Sequence, residues 1–189
     1  MSTLEERIER VEATLAIQQL PVRYAVAVDS RNVIELVALF AVDVDCGRWG
    51  RGRDALKTYF SSSNVLSGFY RSVHLVCGQT IDLVDADHAT GTVYCRAGHE
   101  DNGHWVEMAI CYFDRYVRSE GRWCFERRDE KHWYSTDWEA RPRGPGFQNW
   151  PGRYTGAKYQ PQLPQAWPSW QRYWDEAGEE ARRAVTDTP

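Results

Sequence analysis

The sequence lacks several features that mark common functional classes. No apolar run approaches the ~20 residues that a membrane-spanning helix needs, although 42% of the 189 residues are hydrophobic. Basic residues are not in excess, since the net charge is −4 and the pI is about 5.8. The segment MSTLEERIERVE is charged and has no apolar signal-peptide core. We therefore predict a cytoplasmic protein that binds neither a membrane nor a nucleic acid.

The sequence also lacks a cysteine or histidine pattern typical of a metal site or a disulfide framework. Its five cysteines are widely spread without a CxxC pair, and most fall in apolar stretches where a free cysteine behaves as a small buried hydrophobe. In HEDNGH, residues 99–104, two histidines lie five positions apart across a glycine-containing turn, so they do not share a helix face as in HExxH. We predict no bound metal and no other cofactor.

Aromatic residues, by contrast, are abundant, with 9 Trp, 10 Tyr and 6 Phe. Flat rings in this number can line a pocket for a flat, apolar ligand. Apolar residues recur every three or four positions between residues 4 and 28, which predicts a helical region that kinks or restarts at Pro21. Two shorter helices are predicted at 33–40, with Asn32 as N-cap, and at 52–60.

The period changes from helix to strand after Tyr70. Alternating patterns predict four strands in the ranges 71–84, 88–99, 105–118 and 122–134, and VDVDCGRW predicts an earlier strand at 42–49. Helices followed by antiparallel strands give an α+β fold with helices on one face of a curved sheet. Residues 139–189 are rich in Gly, Pro and aromatics, with a last helix at 169–185. We predict that this extension packs on the body or on a neighbouring subunit.

Three polar residues are the candidates for chemistry. Asp29 ends the apolar helical run RYAVAVDSRN, where a carboxylate meets the unfavourable end of the helix dipole. His74 and His99 fall in adjacent predicted strands, so their side chains meet if both point to the concave face. A solvated helix-end acid and buried core histidines are the structural alternatives.

Two stretches resemble a known family. AIQQLPVRYAVAVDSRNVIELVALFAVDV and YFDRYVRSEGRWCFERR are similar to the opening and the penultimate hairpin of SnoaL-like proteins in the nuclear-transport-factor-2 superfamily. The resemblance is to the branch of scytalone dehydratase and the bile-acid 7α-dehydratases. It implies a cone-shaped, mostly antiparallel sheet packed against three N-terminal helices, in a domain spanning residues 1–138. It also implies a homo-oligomer, with a trimer favoured.

The resemblance implies roles for five residues. Asp29 and His74 match the Asp–His pair of that branch, His99 matches a further histidine, Tyr24 matches a tyrosine five residues before the aspartate, and Tyr112 matches a substrate contact. A histidine suits proton removal near neutral pH, and a carboxylate on its other nitrogen fixes the tautomer. Tyr24 or His99 then donates to the charge that develops.

Further residues are candidates for substrate binding. We predict that aromatic side chains form the pocket walls, and three polar residues share one face of the last strand by period-two alternation. Whether that face is concave or a solvated edge is open at this point. The aromatic candidates are Trp49, Tyr59, Tyr70 and Tyr112, and the polar ones are Arg128, Glu130 and His132.

Together these observations predict a cofactor-independent lyase for an aromatic or polycyclic small molecule. The reaction would be a dehydration or another elimination of a small group, with deformylation included, as in the catabolism of aromatic compounds. Two alternatives remain open. One is an isomerase or cyclase that uses the same pair of residues, and the other is a non-catalytic domain for ligand binding or assembly.

Overall fold

The computed structural model describes residues 2–62, 65–101 and 104–137, with residues 162, 166, 168, 171, 172, 175 and 176. In this part of the chain three α-helices precede four β-strands. Their bounds are α1 (Leu4–Asp29), α2 (Val33–Ala38), α3 (Arg53–Phe60), β1 (Ser72–Leu83), β2 (His88–Asp101), β3 (His104–Ser119) and β4 (Arg122–Asp137). None of the described helices is both long and apolar enough to cross a membrane. The predicted extension at 139–189, with its helix at 169–185, lies almost wholly outside the described residues.

The four strands form one antiparallel sheet in the order β1-β2-β3-β4. The register shifts between Val76 and Gly78 in β1 and at two places along β3. Such bulges bend strands and increase their twist, and this sheet is curved and does not close. The α+β fold with three N-terminal helices and a curved antiparallel sheet, predicted from the sequence, is confirmed.

Helix α1 is one continuous helix of 26 residues that passes through Pro21. It begins with a capping box, in which Thr3 Oγ1 accepts from the Glu6 amide and Glu6 accepts from the Thr3 amide. The residues just before Pro21 are Gln18, Gln19 and Leu20, which offer no N-cap for a second helix. The prediction that the helix could restart at Pro21 is therefore wrong.

The apolar stripe at the start of α1 does not face the core. Its four side chains, which are at least half exposed, are Leu4, Ile8, Val11 and Leu15. The buried face of the helix instead carries Ala13, Ile17, Leu20, Ala27 and Val28. Apolar spacing thus predicted the helix, but two apolar stripes compete for the core in this segment. The homotrimer that the family resemblance implies stays a prediction.

The early strand predicted at 42–49 is wrong. This segment carries a short 3₁₀ turn at Gly47–Trp49 and a single bridge between Asp45 and Arg51. Gly47 and Gly50 take φ angles of 58° and 100°, which an extended strand cannot use. Asp45 Oδ1 also accepts from the Gly47 amide at 2.9 Å, which fixes a local turn.

Helix α2 connects α1 to the sheet. Asn32 caps it as predicted, since its side-chain oxygen accepts from the Glu35 amide at 3.2 Å. Leu36 is fully buried in the main core. After the helix, the Ala41 amide donates to the Phe125 carbonyl at 2.9 Å, which attaches the chain to the edge strand β4.

Replacing Leu36 by Ala is expected to lower the free energy of unfolding by about 2–5 kcal/mol, because it removes buried methyl groups and leaves a cavity. The matched control is Ile34→Ala in the same helix, where the side chain is 73% exposed. This variant should stay within about 0.5 kcal/mol of the wild type. Urea denaturation measures both, and equal losses in the two variants would contradict the core described here.

Candidate active site

The register of the sheet brings both candidate histidines to one face. Ser72 lies opposite His99 in the ladder between β1 and β2, and His74 lies opposite Ala97. Residues directly opposite in an antiparallel pair share a face, and alternate residues along a strand do so too. The rings of His74 and His99 are therefore neighbours, with centroids 5.3 Å apart and planes at 90°.

Asp29, the last residue of α1, contacts the start of β1 through both carboxylate oxygens. Its Oδ1 lies 2.7 Å from His74 Nδ1 and accepts from Ser72 Oγ at 2.9 Å, and its Oδ2 accepts from the His74 amide at 2.8 Å. The Asp29 side chain is 24% exposed and that of His74 is 7% exposed. The helix-borne acid and the strand-borne imidazole thus form a close, largely buried pair.

The protonation of this pair follows from its hydrogen bonds. Burial raises the pKa of Asp29, but the hydrogen bonds from His74 and Ser72 and the charge of His74 outweigh it, so the pKa lies below its usual value. Because an ionised carboxylate only accepts hydrogen bonds, Nδ1 of His74 carries the proton. In the neutral ring, Nε2 on the far side from Asp29 is then an unprotonated base.

His99 is buried beside this pair and remains neutral. Its residue is 5% exposed, and its ring packs 4.5 Å from that of Phe69 between centroids. Burial, with the nearby charge of His74, lowers the pKa of His99 to about 3. Near neutral pH this imidazole can donate or accept a hydrogen bond, but it does not carry a charge.

A cavity of about 1020 Å³ opens between the helices and the concave face of the sheet. Tyr24 stands in its wall, with ring centroids 6.1–6.5 Å from Phe40, Phe60, Tyr112 and Phe125. Burial holds the pKa of Tyr24 well above its usual value, so its hydroxyl stays protonated. Eight sequence-predicted residues line the cavity: Tyr24, Trp49, Tyr59, His74, His99, Tyr112, Arg128 and Glu130.

Arg128 is a buried cation in the cavity wall. Its guanidinium donates to Asp114 through two bonds, from Nε at 2.9 Å and from Nη2 at 2.8 Å. It also lies over the rings of Tyr112, Tyr24 and Phe125, at 4.1–4.5 Å from their centroids. Paired charge and ring contacts of this kind stabilise a buried guanidinium and fix its orientation.

Glu130 adds a second carboxylate to the same concave face, opposite Tyr112 in the ladder. Its Oε1 lies 2.6 Å from Nε2 of His132, a fully buried residue whose Nδ1 lies 3.1 Å from Ser135 Oγ. The polar face of β4, left open by the sequence, is thus the concave one. His132 therefore contacts the carboxylate of Glu130 but does not itself line the cavity.

Tyr70 is misplaced by the sequence prediction. Its residue is 76% exposed, its ring lies under the Arg71 guanidinium, and it borders a separate groove. The strand β1 begins only at Ser72, so the alternation that turns Ser72 and His74 inward does not extend back to Tyr70. Tyr70 is therefore not a wall of the main cavity.

The sequence prediction missed three residues whose hydrogen bonds fix the positions of side chains in the site. Ser72 and Asp114 could have been found, because they lie two positions from His74 and Tyr112 and so share their faces. Arg31 gave no such signal, because it lies in the turn after α1 and its side chain bonds Ser72, which is 41 positions away in the sequence. No group of three or more His, Cys, Asp or Glu side chains converges in the described ranges in a way that could hold a metal ion.

The neutral His99 makes stability depend on pH. Between pH 6.5 and 3 the unfolded chain binds a proton at this residue that the folded chain does not, so folding stability falls as the pH falls through this window. Replacing His99 by Phe should make the loss from pH 7 to pH 4.5 about 2 kcal/mol smaller than in the wild type. Urea denaturation at the two pH values measures this difference.

The matched control is His88→Phe, at an exposed histidine whose hydrogen bond and charge contact with Asp85 raise its pKa. A raised pKa stabilises the fold at low pH and loses that contribution as the pH rises, so this variant should not reduce the acid loss. An acid loss in His99→Phe equal to that of the wild type would contradict a buried neutral His99.

The chain is similar to several proteins of known structure. Among solved structures, a protein provisionally assigned as a scytalone dehydratase from Novosphingobium aromaticivorans is 26% identical with a TM-score of 0.61, over 71% of this chain and 93% of that chain. The hexachlorocyclohexane dehydrochlorinase LinA-type3 from Novosphingobium barchaimii is 21% identical with a TM-score of 0.62, over 77% and 99%.

Curated proteins give no significant match. The SnoaL-like domain model matches residues 9–129, which fall inside the domain predicted at 1–138. This match covers Asp29 at the end of α1, His74 and His99, and most of the sheet. The chain belongs to the SnoaL-like domain family, in the nuclear-transport-factor-2-like superfamily.

Proposed function

We propose that this protein is a cofactor-independent lyase that eliminates a small group from an aromatic or polycyclic molecule. The contact of 2.7 Å between Asp29 and His74 at the cavity wall carries the proposal. Support also comes from the similar solved structures, which include a dehydrochlorinase and a protein provisionally assigned as a dehydratase. Both names describe eliminations.

In the proposed reaction His74 is the base. Its Nε2 removes a proton from a carbon beside a carbonyl group or an aromatic ring, and the electron pair of that C–H bond forms a double bond to the next carbon. The bond to the leaving group breaks, and the leaving group departs with its electron pair. Asp29 keeps the proton on Nδ1 and stabilises the imidazolium as it forms. Where the leaving group needs a proton, as hydroxide does, it takes the one that Nε2 of His74 has just accepted, which restores the neutral imidazole.

Tyr24 and His99 are the proposed hydrogen-bond donors to the charge that develops on the substrate or the leaving group. Tyr24 keeps its hydroxyl proton because burial raises its pKa, and His99 stays neutral because its pKa is about 3. Each therefore offers a hydrogen bond to a developing negative charge without introducing a full charge. Because His99 is buried and Tyr24 is packed among four aromatic rings, such bonds are stronger there than in solution.

The substrate class follows from the walls of the cavity. The rings of Tyr24, Phe60, Tyr112 and Trp49 present flat apolar surfaces, and flat ligands bind such walls by stacking and edge contacts. Arg128 and Glu130 add fixed polar groups on the side of β4. A ring system that carries one or two oxygen substituents fits this combination.

The test is a turnover assay of the wild type and His74→Ala on a panel of aromatic substrates with a leaving group next to an acidic C–H bond. Mass spectrometry follows the loss of water or hydrogen halide. It also follows the release of formaldehyde from a hydroxymethyl substrate, whose hydroxyl would give its proton to His74 and whose ring-side carbon would take that proton back as the C–C bond breaks. We expect His74→Ala to lower kcat by about 10²–10⁴-fold, because it removes general base catalysis. The control is His88→Ala, at an exposed residue at the start of β2, which should keep full activity.

The assay also separates the alternatives. A product of the same mass as the substrate would identify an isomerase or cyclase that uses the same base. Ligand binding without turnover, or turnover that is unchanged in His74→Ala, would contradict the proposal and favour a non-catalytic role.

A further inference from the structure

We infer that Arg31 and Ser72 form a positioning relay that orients Asp29, and through it the His74 base. This inference rests on the proposed function, because a relay of this kind matters for chemistry only if His74 removes a proton. Neither residue contacts the reacting atoms in the proposed step. Their role is carried by a continuous chain of hydrogen bonds from the turn after α1 to the imidazole.

Arg31 ties three segments together. Its Nη1 donates to the Val28 carbonyl at 2.7 Å and to Ser72 Oγ at 2.8 Å, and its Nη2 donates to the Phe69 carbonyl at 3.0 Å. The first bond satisfies a carbonyl at the end of α1, where a cation is favourable. The other two reach the chain just before β1 and the first residue of β1. Arg31 thus joins the element that carries Asp29 to the strand that carries His74.

The backbone at Arg31 supports this reading. Its φ is 59°, in the left-handed region that few residues other than glycine adopt. Conformations of this kind persist where the surrounding structure holds them, and here three bonds from one guanidinium do so. The left-handed turn brings the Arg31 side chain back across the end of α1.

Arg31 also determines the direction of the Ser72 proton. A guanidinium only donates hydrogen bonds, so Ser72 Oγ must accept from Arg31. The single hydroxyl proton of Ser72 is then directed to Asp29 Oδ1, at 2.9 Å. That oxygen holds donors from Ser72 and His74 together, which fixes the carboxylate plane and keeps it ionised. Outer-shell partners that orient metal ligands change activity by about 10–100-fold when they are removed, and we expect a loss in the same range here.

The experiment compares Ser72→Ala with Ser72→Thr and with the control Ser67→Ala, an exposed serine outside the relay. The first readout is the pKa of Asp29, from an NMR titration of its carboxyl carbon, which needs no substrate. We expect this pKa to rise in Ser72→Ala because a donor to the ionised form is lost. It should return toward the wild-type value in Ser72→Thr and be unchanged in Ser67→Ala.

The second readout uses a substrate that the wild type converts. We expect Ser72→Ala to lower kcat by about 10–100-fold with KM changed less than about twofold, because positioning affects the transition state more than binding. Arg31→Gln should give a similar loss, and the double variant should be little worse than either single one, since both changes break the same chain. A thermal melt checks that each variant is folded.

The outcomes distinguish this inference from the proposed function. If His74→Ala abolishes turnover while Ser72→Ala leaves both kcat and the Asp29 pKa unchanged, the positioning role of Ser72 and Arg31 is contradicted. The assignment of His74 as the base is then unaffected. If His74→Ala retains full turnover, the proposed function fails and this inference fails with it. Because Ser72→Ala leaves the Arg31 bonds to Val28 and Phe69 in place, loss of folding in Arg31→Gln does not prevent the test.

Discussion

The contact between Asp29 and His74 is the interaction on which the rest of the site depends. A carboxylate at the C-terminal end of a helix faces the negative end of the helix dipole, and in this position it is also largely removed from water. Three donors offset that penalty: the imidazole and the amide of His74, and the hydroxyl of Ser72. Asp29 therefore joins α1 to β1 and holds the imidazole in one orientation.

The sheet places complementary groups around this contact. Its ladder puts His99 beside His74, and β4 brings Arg128 and Glu130 to the same concave face. Both of these charged groups have a partner, since Arg128 bonds Asp114 and Glu130 contacts His132. Paired charges of this kind keep fixed positions in a region of low dielectric, where their fields act on a ligand more strongly than in water.

The sequence predicted most of the fold, because periodicity and turn residues are local signals. All four strands of the sheet and the cap at Asn32 were predicted correctly. The strand expected at 42–49 failed because alternation alone cannot detect glycines with positive φ. In α1 the apolar spacing predicted the helix correctly, but it did not show that the apolar side chains of the first turns (Leu4, Ile8, Val11 and Leu15) stay exposed, because only tertiary packing decides which apolar side chains are buried.

The site was harder to predict than the fold. Asp29 and His74 lie 45 positions apart, and their pairing came from order within a family pattern, not from local chemistry. Tyr70 was assigned to the wrong place because the exact start of β1 decides which way it points. Arg31 was missed because its role depends on a left-handed turn at a residue that is not glycine, which no spacing rule predicts.

The central claim is that Asp29 holds His74 with its proton on Nδ1 and leaves Nε2 free as a base. Nitrogen-15 NMR of the histidine rings at pH 8 tests this claim most directly and needs no substrate. The account predicts that His74 shows a protonated Nδ1 and an unprotonated Nε2, and that Asp29→Asn changes this pattern. A His74 ring with its proton on Nε2 in the wild type would contradict the account.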